Sequence, residues 1–226
     1  MKRAPALFLA LSLLGACQQP ATAASPDHVV NAPAAVRKAN EPAGLQTAVF
    51  SGGCFWGTEA VFSHVRGVTS AVSGYQGGDK ATASYERISG GSTGHAESVK
   101  ITYDPSKVRY DQLLQIFFAV IADPTTLNRQ GPDVGTQYRS ALVPLSEEQR
   151  LVASAYLAQM KASGKWRGMI VTRLEPNKGF YAAENHHQDF AAKNPSHPYI
   201  TYWDVPKVRS LKRLFAGLYK PSFTKG

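Results

Sequence analysis

Short β-favouring runs recur along the chain, and the clearest of them alternates apolar and polar residues, as a half-buried strand does. In residues 95–103 this alternation places Val99 and Ile101 on one face, and Glu97 falls on the same face. Comparable runs predict further strands at 46–50, 68–75, 138–145 and 169–174.

Apolar residues at helical spacing predict helices between these strands. The first helix opens at Cys54, directly after Ser51-Gly52-Gly53, so Cys54 is predicted to lie where a strand turns into a helix. Further helices are predicted at 110–121, 147–161 and 182–190. The polar loop at 125–137 is long for a compact domain, which suggests that it has a function.

The predicted order of elements is β-α-β-β-α-β-α-β-α. This order favours an α+β fold, a two-layer sandwich in which helices pack on a mixed, mainly antiparallel sheet. A doubly wound parallel sheet fits less well, because the strands at 68–75 and 95–103 lack the crossover helix that parallel neighbours need. A chain of 226 residues, 43% of them hydrophobic, suffices for one core.

The N-terminus resembles an export signal, predicted to occupy residues 1–23. Lys2 and Arg3 precede an apolar run at 4–15 that is too short to span a bilayer permanently. Leu14-Gly15-Ala16-Cys17 resembles a bacterial lipobox, with cleavage before a lipid-bearing Cys17, whereas Ala21-Thr22-Ala23 resembles an ordinary cleavage site after Ala23. We favour the lipobox, and we expect an exported protein, periplasmic or lipid-anchored to the bacterial envelope.

Composition divides the rest of the chain into three parts. Residues 24–44 are rich in Ala and Pro and poor in large apolar side chains, so we expect a flexible tether. The catalytic domain is predicted at 45–206, and 207–226 are expected to form a basic C-terminal extension. No nucleic-acid motif accompanies the formal net charge of +9, so no nucleic-acid binding is predicted, and nothing requires more than a monomer.

Cys54 is the strongest candidate for a reacting group. The chain has two cysteines, and Cys17 is either acylated or removed with the signal, so the folded domain holds a single thiol. Unpaired N–H groups and the macrodipole at a helix start would stabilise a thiolate. We therefore interpret Cys54 as a nucleophile, although a lone cysteine can also serve as a small buried hydrophobe.

Glu97 is the second candidate, since alternation points it toward the interior. A carboxyl group without a partner there would have a raised pKa and could stay protonated near neutral pH, as a general acid must. The alternative is a surface glutamate on an edge strand. Asn185-His186-His187-Gln188-Asp189 looks at first like a metal site, but adjacent histidines on a helix point about 100° apart, so no metal is predicted.

These motifs together resemble the A-type peptide methionine sulfoxide reductase family over about residues 47–204. The resemblance rests on segments in the family's order: Gly53-Cys54-Phe55-Trp56, Tyr85, Gly94-His95-Ala96-Glu97, Asp133 with residues 135–140, and His187-Gln188. It implies a ferredoxin-like fold with additions. It also implies selectivity for the S epimer of the sulfoxide.

The resemblance assigns the catalytic roles to four residues. Cys54 would attack the sulfur of methionine sulfoxide, and protonated Glu97 would supply a proton to the sulfoxide oxygen. Tyr85 and Tyr138 would help to bind that oxygen. The products would be methionine and a Cys54 sulfenic acid, the first reversible oxidation state of a thiol.

The substrate-binding roles follow from the same resemblance. Phe55 and Trp56 would form the apolar wall that receives the substrate's methyl group, Asp133 would hold the substrate backbone or a site water, and His187 would line the site. The substrates would be free methionine sulfoxide and oxidised methionine in proteins, so the expected role is repair of oxidised proteins of the envelope.

Many members of the family carry C-terminal resolving cysteines, but residues 193–226 contain none. An intramolecular disulfide relay is therefore not expected. We expect an external thiol, from a thioredoxin-like protein or a small-molecule dithiol, to reduce the sulfenic acid, with no bound cofactor.

Two other functions are compatible with parts of the sequence. A cysteine hydrolase would pair Cys54 with His95 or His187 and attack an acyl carbon. A binding module would hold methionine-rich peptides against Phe55 and Trp56 without chemistry.

Overall fold

The computed structural model describes residues 29–226. The predicted export signal, including Cys17, and the start of the predicted tether lie outside the described residues. Within the part of the chain that is described, no helix is both long and apolar enough to cross a bilayer.

The described residues form eight strands and six α-helices. The strands are β1 (Gln46–Gly52), β2 (Val68–Gln76), β3 (Ala96–Tyr103), β4 (Arg129–Gln130), β5 (Asp133–Val134), β6 (Ser140–Val143), β7 (Arg173–Leu174) and β8 (Phe180–Ala182). The helices are α1 (Phe55–Ser63), α2 (Tyr85–Ile88), α3 (Tyr110–Ile116), α4 (Glu147–Ser163), α5 (Phe190–Lys193) and α6 (Val205–Leu214). Short 3₁₀ turns lie at Lys80–Thr82 and Thr136–Tyr138, and π-helical turns at Phe117–Ile121 and Ile200–Asp204.

Six strands form the main sheet, in the spatial order β7-β6-β1-β3-β2-β8, and β4 and β5 form a separate hairpin. All neighbours in the sheet are antiparallel except β6 and β7. The inner order β6-β1-β3-β2 is that of a ferredoxin-like β-α-β-β-α-β unit, built here from β1, α1, β2, β3, α3 and β6. The predicted α+β class, with a mainly antiparallel sheet, is confirmed.

Phe50 of β1 lies at the centre of the core. Its ring contacts Phe62 of α1 at 4.9 Å, Phe117 after α3 at 5.3 Å and Tyr110 of α3 at 5.9 Å between ring centroids. All four side chains are fully buried. Because α1 and α3 pack on the same face of β1, this face of the sheet fixes where α1 begins, and Cys54 precedes α1 directly.

The structure differs from the sequence prediction at 182–190, which is not a helix. Gln188 binds both backbone groups of Ser73 in β2, accepting from its N–H at 3.0 Å and donating to its carbonyl at 2.9 Å. Asp189 has a left-handed backbone, with φ of 55°. These bonds hold the segment against β2 as a series of turns. The next helix, α5, begins only at Phe190.

The basic segment at 207–226 is part of the fold and not a projecting extension. Leu211 of α6 is completely buried, and the chain beyond α6 pairs with the residues at and just after the end of α1. There Arg66 N–H donates to the Leu218 carbonyl at 2.6 Å, and Lys220 N–H donates to that of His64 at 2.8 Å. Helix α6 was not predicted, although Pro206 followed by Val208, Leu211 and Leu214 has helical spacing.

Residues 29–44, for which the composition predicts a flexible tether, lie along α3 and α4. Their backbone groups are bound by side chains of these helices, as in the bonds from Gln115 to the Ala32 carbonyl and from Tyr156 to that of Pro33. Glu41 accepts from the Tyr110 N–H at 2.9 Å. Composition alone misses this docking because the bonds use backbone groups, which any sequence has.

We predict that Leu211→Ala lowers the free energy of unfolding by about 2–5 kcal/mol, because it removes buried methyl groups and leaves a cavity. The matched control is Leu151→Ala in α4, where the leucine is 38% exposed and the expected loss is about 0.5 kcal/mol. Urea unfolding measures both. Equal, small losses would mean that α6 is dispensable to the fold.

Candidate active site

Two glycines without room for a side chain form the turn that presents Cys54. A Cβ on Gly52 would lie 2.6 Å from the Phe117 ring, and one on Gly53 would lie 2.5 Å from Cβ of Gln130. Gly53 also has a φ of +87°, which residues with a side chain rarely adopt. The turn ends at Cys54, the N-cap of α1, which is partly exposed.

Glu97 of β3 reaches under this turn and accepts a hydrogen bond from the Phe55 N–H at 3.0 Å. The side chain is 2% exposed, so the interior position expected from alternation is confirmed and the edge-strand alternative is wrong. Burial, and then the charge of Asp133, raise the pKa of Glu97 to about 8, while the Phe55 N–H acts in the opposite direction. The carboxyl group is therefore mainly protonated at neutral pH.

The pKa of Cys54 is raised well above its usual value, contrary to the thiolate expected at a helix start. Burial is the largest cause, followed by the charges of Glu97, Asp204 and Asp133. The Trp56 N–H at the start of α1 lowers the pKa, but it does not outweigh them. The resting site thus holds a neutral thiol among carboxyl groups.

The two tyrosines expected near the sulfoxide oxygen face the same site. Tyr85 begins α2, and Tyr138 ends the 3₁₀ turn after β5. Burial raises the pKa of each phenol, and the charge of Glu97 adds to the effect. Both hydroxyl groups therefore keep their protons and can donate hydrogen bonds.

Aromatic rings form one wall of the site. Trp56 stacks on Phe190 with ring centroids 3.7 Å apart, and Tyr199 meets it edge-on at 5.9 Å. Trp56 is half-buried, whereas Phe55 is 1% exposed and packs behind the wall against Tyr75. The exposed part of this wall is therefore Trp56 and not Phe55.

His187 supports the wall from within. Its Nδ1 accepts from Trp56 Nε1 at 3.2 Å, and the Tyr85 ring lies 4.4 Å away between centroids. Burial, and then the charge of His186, lower the pKa of His187, so the imidazole is neutral. Both ring nitrogens of His95 bind the backbone of Gly78 and Asp79. His187 and His95 are thus both engaged in other hydrogen bonds, which does not favour either as the base of a cysteine hydrolase.

Asp133 lies on the β4–β5 hairpin and accepts from the Tyr199 hydroxyl at 2.5 Å. Burial raises its pKa, while Tyr199 and Lys207 act in the opposite direction. Arg139 secures the neighbouring loop, since it donates to the carbonyls of Gly94 and His95 and pairs with Glu175 at 2.7 Å.

Sequence reasoning missed Tyr199, Asp204 and Lys207. Asp204 is 1% exposed, pairs with Lys207 at 3.1 Å, and its Oδ1 would lie 2.1 Å from a Cβ on Gly57. Asp204 thus packs on the first turn of α1, where its charge affects Cys54. The sequence signal that could have indicated this segment is the helical spacing after Pro206, which is typical of α6.

Among residues 29–226, no three His, Cys, Asp or Glu side chains are grouped as metal ligands.

The comparisons with known proteins agree on one family. A family profile described as peptide methionine sulfoxide reductase matches residues 46–217. Peptide methionine sulfoxide reductase MsrA 2 of Mesorhizobium japonicum is 56% identical over 176 residues, which cover 78% of this chain and 90% of the relative. The MsrA 2 of Synechocystis sp. is 50% identical over 177 residues, covering 78% and 83% of the two chains.

Solved structures give the same result. Mxr1 of Saccharomyces cerevisiae in its reduced form matches with a TM-score of 0.58 at 35% identity, covering 72% of this chain and 92% of that one. Methionine sulfoxide reductase A of Corynebacterium diphtheriae also matches with a TM-score of 0.58, at 34% identity, covering 70% and 78%.

The raised pKa of Glu97 predicts how stability changes with pH. The folded protein keeps this proton up to about pH 8, whereas an unfolded glutamate loses it near pH 4.3, so stability falls as pH rises between these values. Relative to Glu97→Gln, the parent should lose about 1.4 kcal/mol per pH unit between about pH 5 and pH 8. Urea unfolding at several pH values tests this; parallel curves for parent and variant would contradict it.

Proposed function

The chain belongs to the peptide methionine sulfoxide reductase family, and from that premise we propose which of its residues carry each part of the reaction. The protein is an oxidoreductase that uses thiols to reduce the S epimer of methionine sulfoxide to methionine. The observation that supports our assignment best is the buried, mainly protonated Glu97, bound to the Phe55 N–H directly beside Cys54.

Substrate binding uses the aromatic wall and the hairpin. The methyl group of methionine sulfoxide lies against the exposed face of Trp56, backed by Phe55 and held by the bond from Trp56 to His187. The sulfoxide oxygen accepts from the hydroxyl groups of Tyr85 and Tyr138. Asp133, fixed by Tyr199, holds the substrate backbone or a site water.

Oxygen transfer then requires one proton at the sulfoxide oxygen. Glu97 Oε2 accepts from the Phe55 N–H, so Oε1 can carry the proton and deliver it as the S–O bond of the substrate breaks. Sγ of Cys54 attacks the substrate sulfur and ends with the oxygen, so that Cys54 becomes a sulfenic acid while the substrate sulfur is reduced by two electrons. The proton lost by the thiol replaces the one that Glu97 gave.

The raised pKa of Cys54 fits this order of proton transfers. A neutral thiol is a poor target for other oxidants, since the thiolate is the reactive form. Glu97 and Asp133 contribute to the raised pKa of Cys54, so the protonation of either carboxyl group makes ionisation of the thiol easier. Cys54 therefore ionises most readily while Glu97 still holds the proton that the substrate needs.

An external thiol must restore Cys54, because it is the only cysteine in residues 18–226. Two thiol groups reduce the sulfenic acid to the thiol, with release of water and formation of a disulfide in the reductant. We assign this role to a thioredoxin-like protein or a small-molecule dithiol. Both would reach Cys54, which is partly exposed.

We place the protein in the bacterial envelope, as a monomer either anchored by a lipid on Cys17 or free in the periplasm. Support comes from the charged start, the short apolar run and the lipobox-like residues 14–17. Proteins of the envelope meet oxidants directly, so repair of their oxidised methionines is the proposed role.

The test of the reaction is a single turnover without reductant, with separate S and R methionine sulfoxide peptides. The parent should form about one equivalent of methionine from the S epimer alone, with a sulfenic acid trapped at Cys54. Glu97→Gln should slow this step by about 10²- to 10⁴-fold, because it removes the acid and keeps the shape.

Glu59→Gln is the matched control, since Glu59 of α1 is also fully buried with a pKa raised to about 8. It should leave the turnover rate near that of the parent. A full rate in Glu97→Gln would refute the role of the acid, and a disulfide within one chain after turnover would refute the external thiol. No product from either epimer would favour the binding module.

The anchor is tested by mass spectrometry of the full chain, produced in a Gram-negative host and recovered from the membrane fraction. We expect a mature chain that begins at a lipid-bearing Cys17. Ala23→Phe, which blocks ordinary cleavage, should leave this product unchanged, whereas Cys17→Ala should abolish it. A mature parent chain that begins at Ala24 would contradict the anchor.

A further inference from the structure

Helix α6 exposes three cations on one face. Arg209, Lys212 and Arg213, here called the basic face, are spaced at i, i+3 and i+4 and are all exposed. Among the ion pairs of the described residues, none involves these three. No Asp or Glu occurs from Val205 to the C-terminus, so this charge is not neutralised locally.

The described chain enters the fold beside the basic face. Val29 lines a cleft together with Pro206, Arg209, Ser210 and Arg213. The adjacent Val30 is fixed by the bond from its N–H to the Ala119 carbonyl at 3.0 Å. Twelve residue steps separate Cys17 from Val29, and at about 3.5 Å each they span at most about 40 Å. An anchor on Cys17 would therefore keep the basic face close to the bilayer.

On its other side the basic face borders an apolar cavity of about 280 Å³. Arg209 and Lys212 lie at this cavity, and α6 and the C-terminal chain contribute Val205, Val208, Tyr219 and Phe223 to its largely apolar lining. Lys212 lies over the Tyr219 ring, with its Nζ 5.8 Å from the ring centroid. Cations next to apolar surface are typical of segments that lie at the boundary between headgroups and acyl chains.

We propose that the basic face of α6 is a membrane-docking surface, which binds the headgroups of an anionic phospholipid bilayer. The inference rests on the envelope location proposed above, but the surface does not need the lipid anchor in order to bind. Docking brings the active site near the bilayer, because Asp204, directly before α6, packs on the first turn of α1. Oxidised proteins at the membrane surface would then be the nearest substrates.

The test is sedimentation of residues 24–226, which contain the whole described fold, with vesicles of phosphatidylglycerol and phosphatidylcholine at low salt. Vesicles of phosphatidylcholine alone serve as the neutral comparison. The triple variant Arg209→Gln/Lys212→Gln/Arg213→Gln should have a partition coefficient about 100-fold lower than that of the parent. Its single-turnover rate on a soluble peptide should equal that of the parent, which verifies the fold.

A charge-matched control removes three exposed cations at the end of α4 and beyond, with Lys161→Gln/Lys165→Gln/Arg167→Gln. This control should keep most of the binding. Equal loss in both variants would mean attraction by net charge alone and would overturn the proposal. Three other outcomes would also overturn it: equal binding to neutral vesicles, no binding of the parent at low salt, or tighter binding to a DNA duplex. Because this chain lacks Cys17, failure here leaves the anchor and the reaction to their own tests.

Discussion

The hydrogen bond from the Phe55 N–H to Glu97 is the constraint on which the rest of the site depends. It joins the start of α1 to β3, one of the two central strands of the sheet, and the backbone N–H offsets part of the cost of burying a carboxyl group. The bond requires that α1 begin directly above β3. That position in turn requires Gly52 and Gly53, because any side chain there would collide with Phe117 or Gln130.

Burial of Cys54, and then three carboxyl groups near it, explain why the thiol is neutral in the resting site. Glu97, Asp133 and Asp204 each raise the pKa of the thiol, and burial raises the pKa of all three acids. Lys207 offsets part of this negative charge through its ion pair with Asp204. Of these acids, Glu97 keeps its proton at neutral pH. Oxygen transfer from a sulfoxide consumes a proton as the S–O bond breaks, so such a site suits this reaction.

The C-terminal segment has a structural part in this chain. Tyr199 fixes Asp133, Asp204 packs on α1, and Leu211 fills the core. A segment tied down at these points supports the site and leaves Cys54 to an external thiol. The same helix turns its cations outward, so one element both supports the site and supplies the proposed docking surface.

The sequence by itself determined the order of the main elements, the α+β class, the turn at Cys54 and the interior position of Glu97, because local spacing and turn chemistry carry this information. The family resemblance added the remaining site residues, which the structure brings to one place: Tyr85, Tyr138, Phe55, Trp56, Asp133 and His187. Only the tertiary structure decided the pKa of Cys54, since burial, and then charges from Glu97, Asp204 and Asp133 in distant segments, outweigh the helix start. It also decided that 182–190 is not helical, because Gln188 is held by Ser73 of β2 and not by its own turn. The tertiary structure also decided that residues 29–44 and 207–226 dock on the rest of the fold. Their partners are far away in sequence, and local patterns cannot encode them.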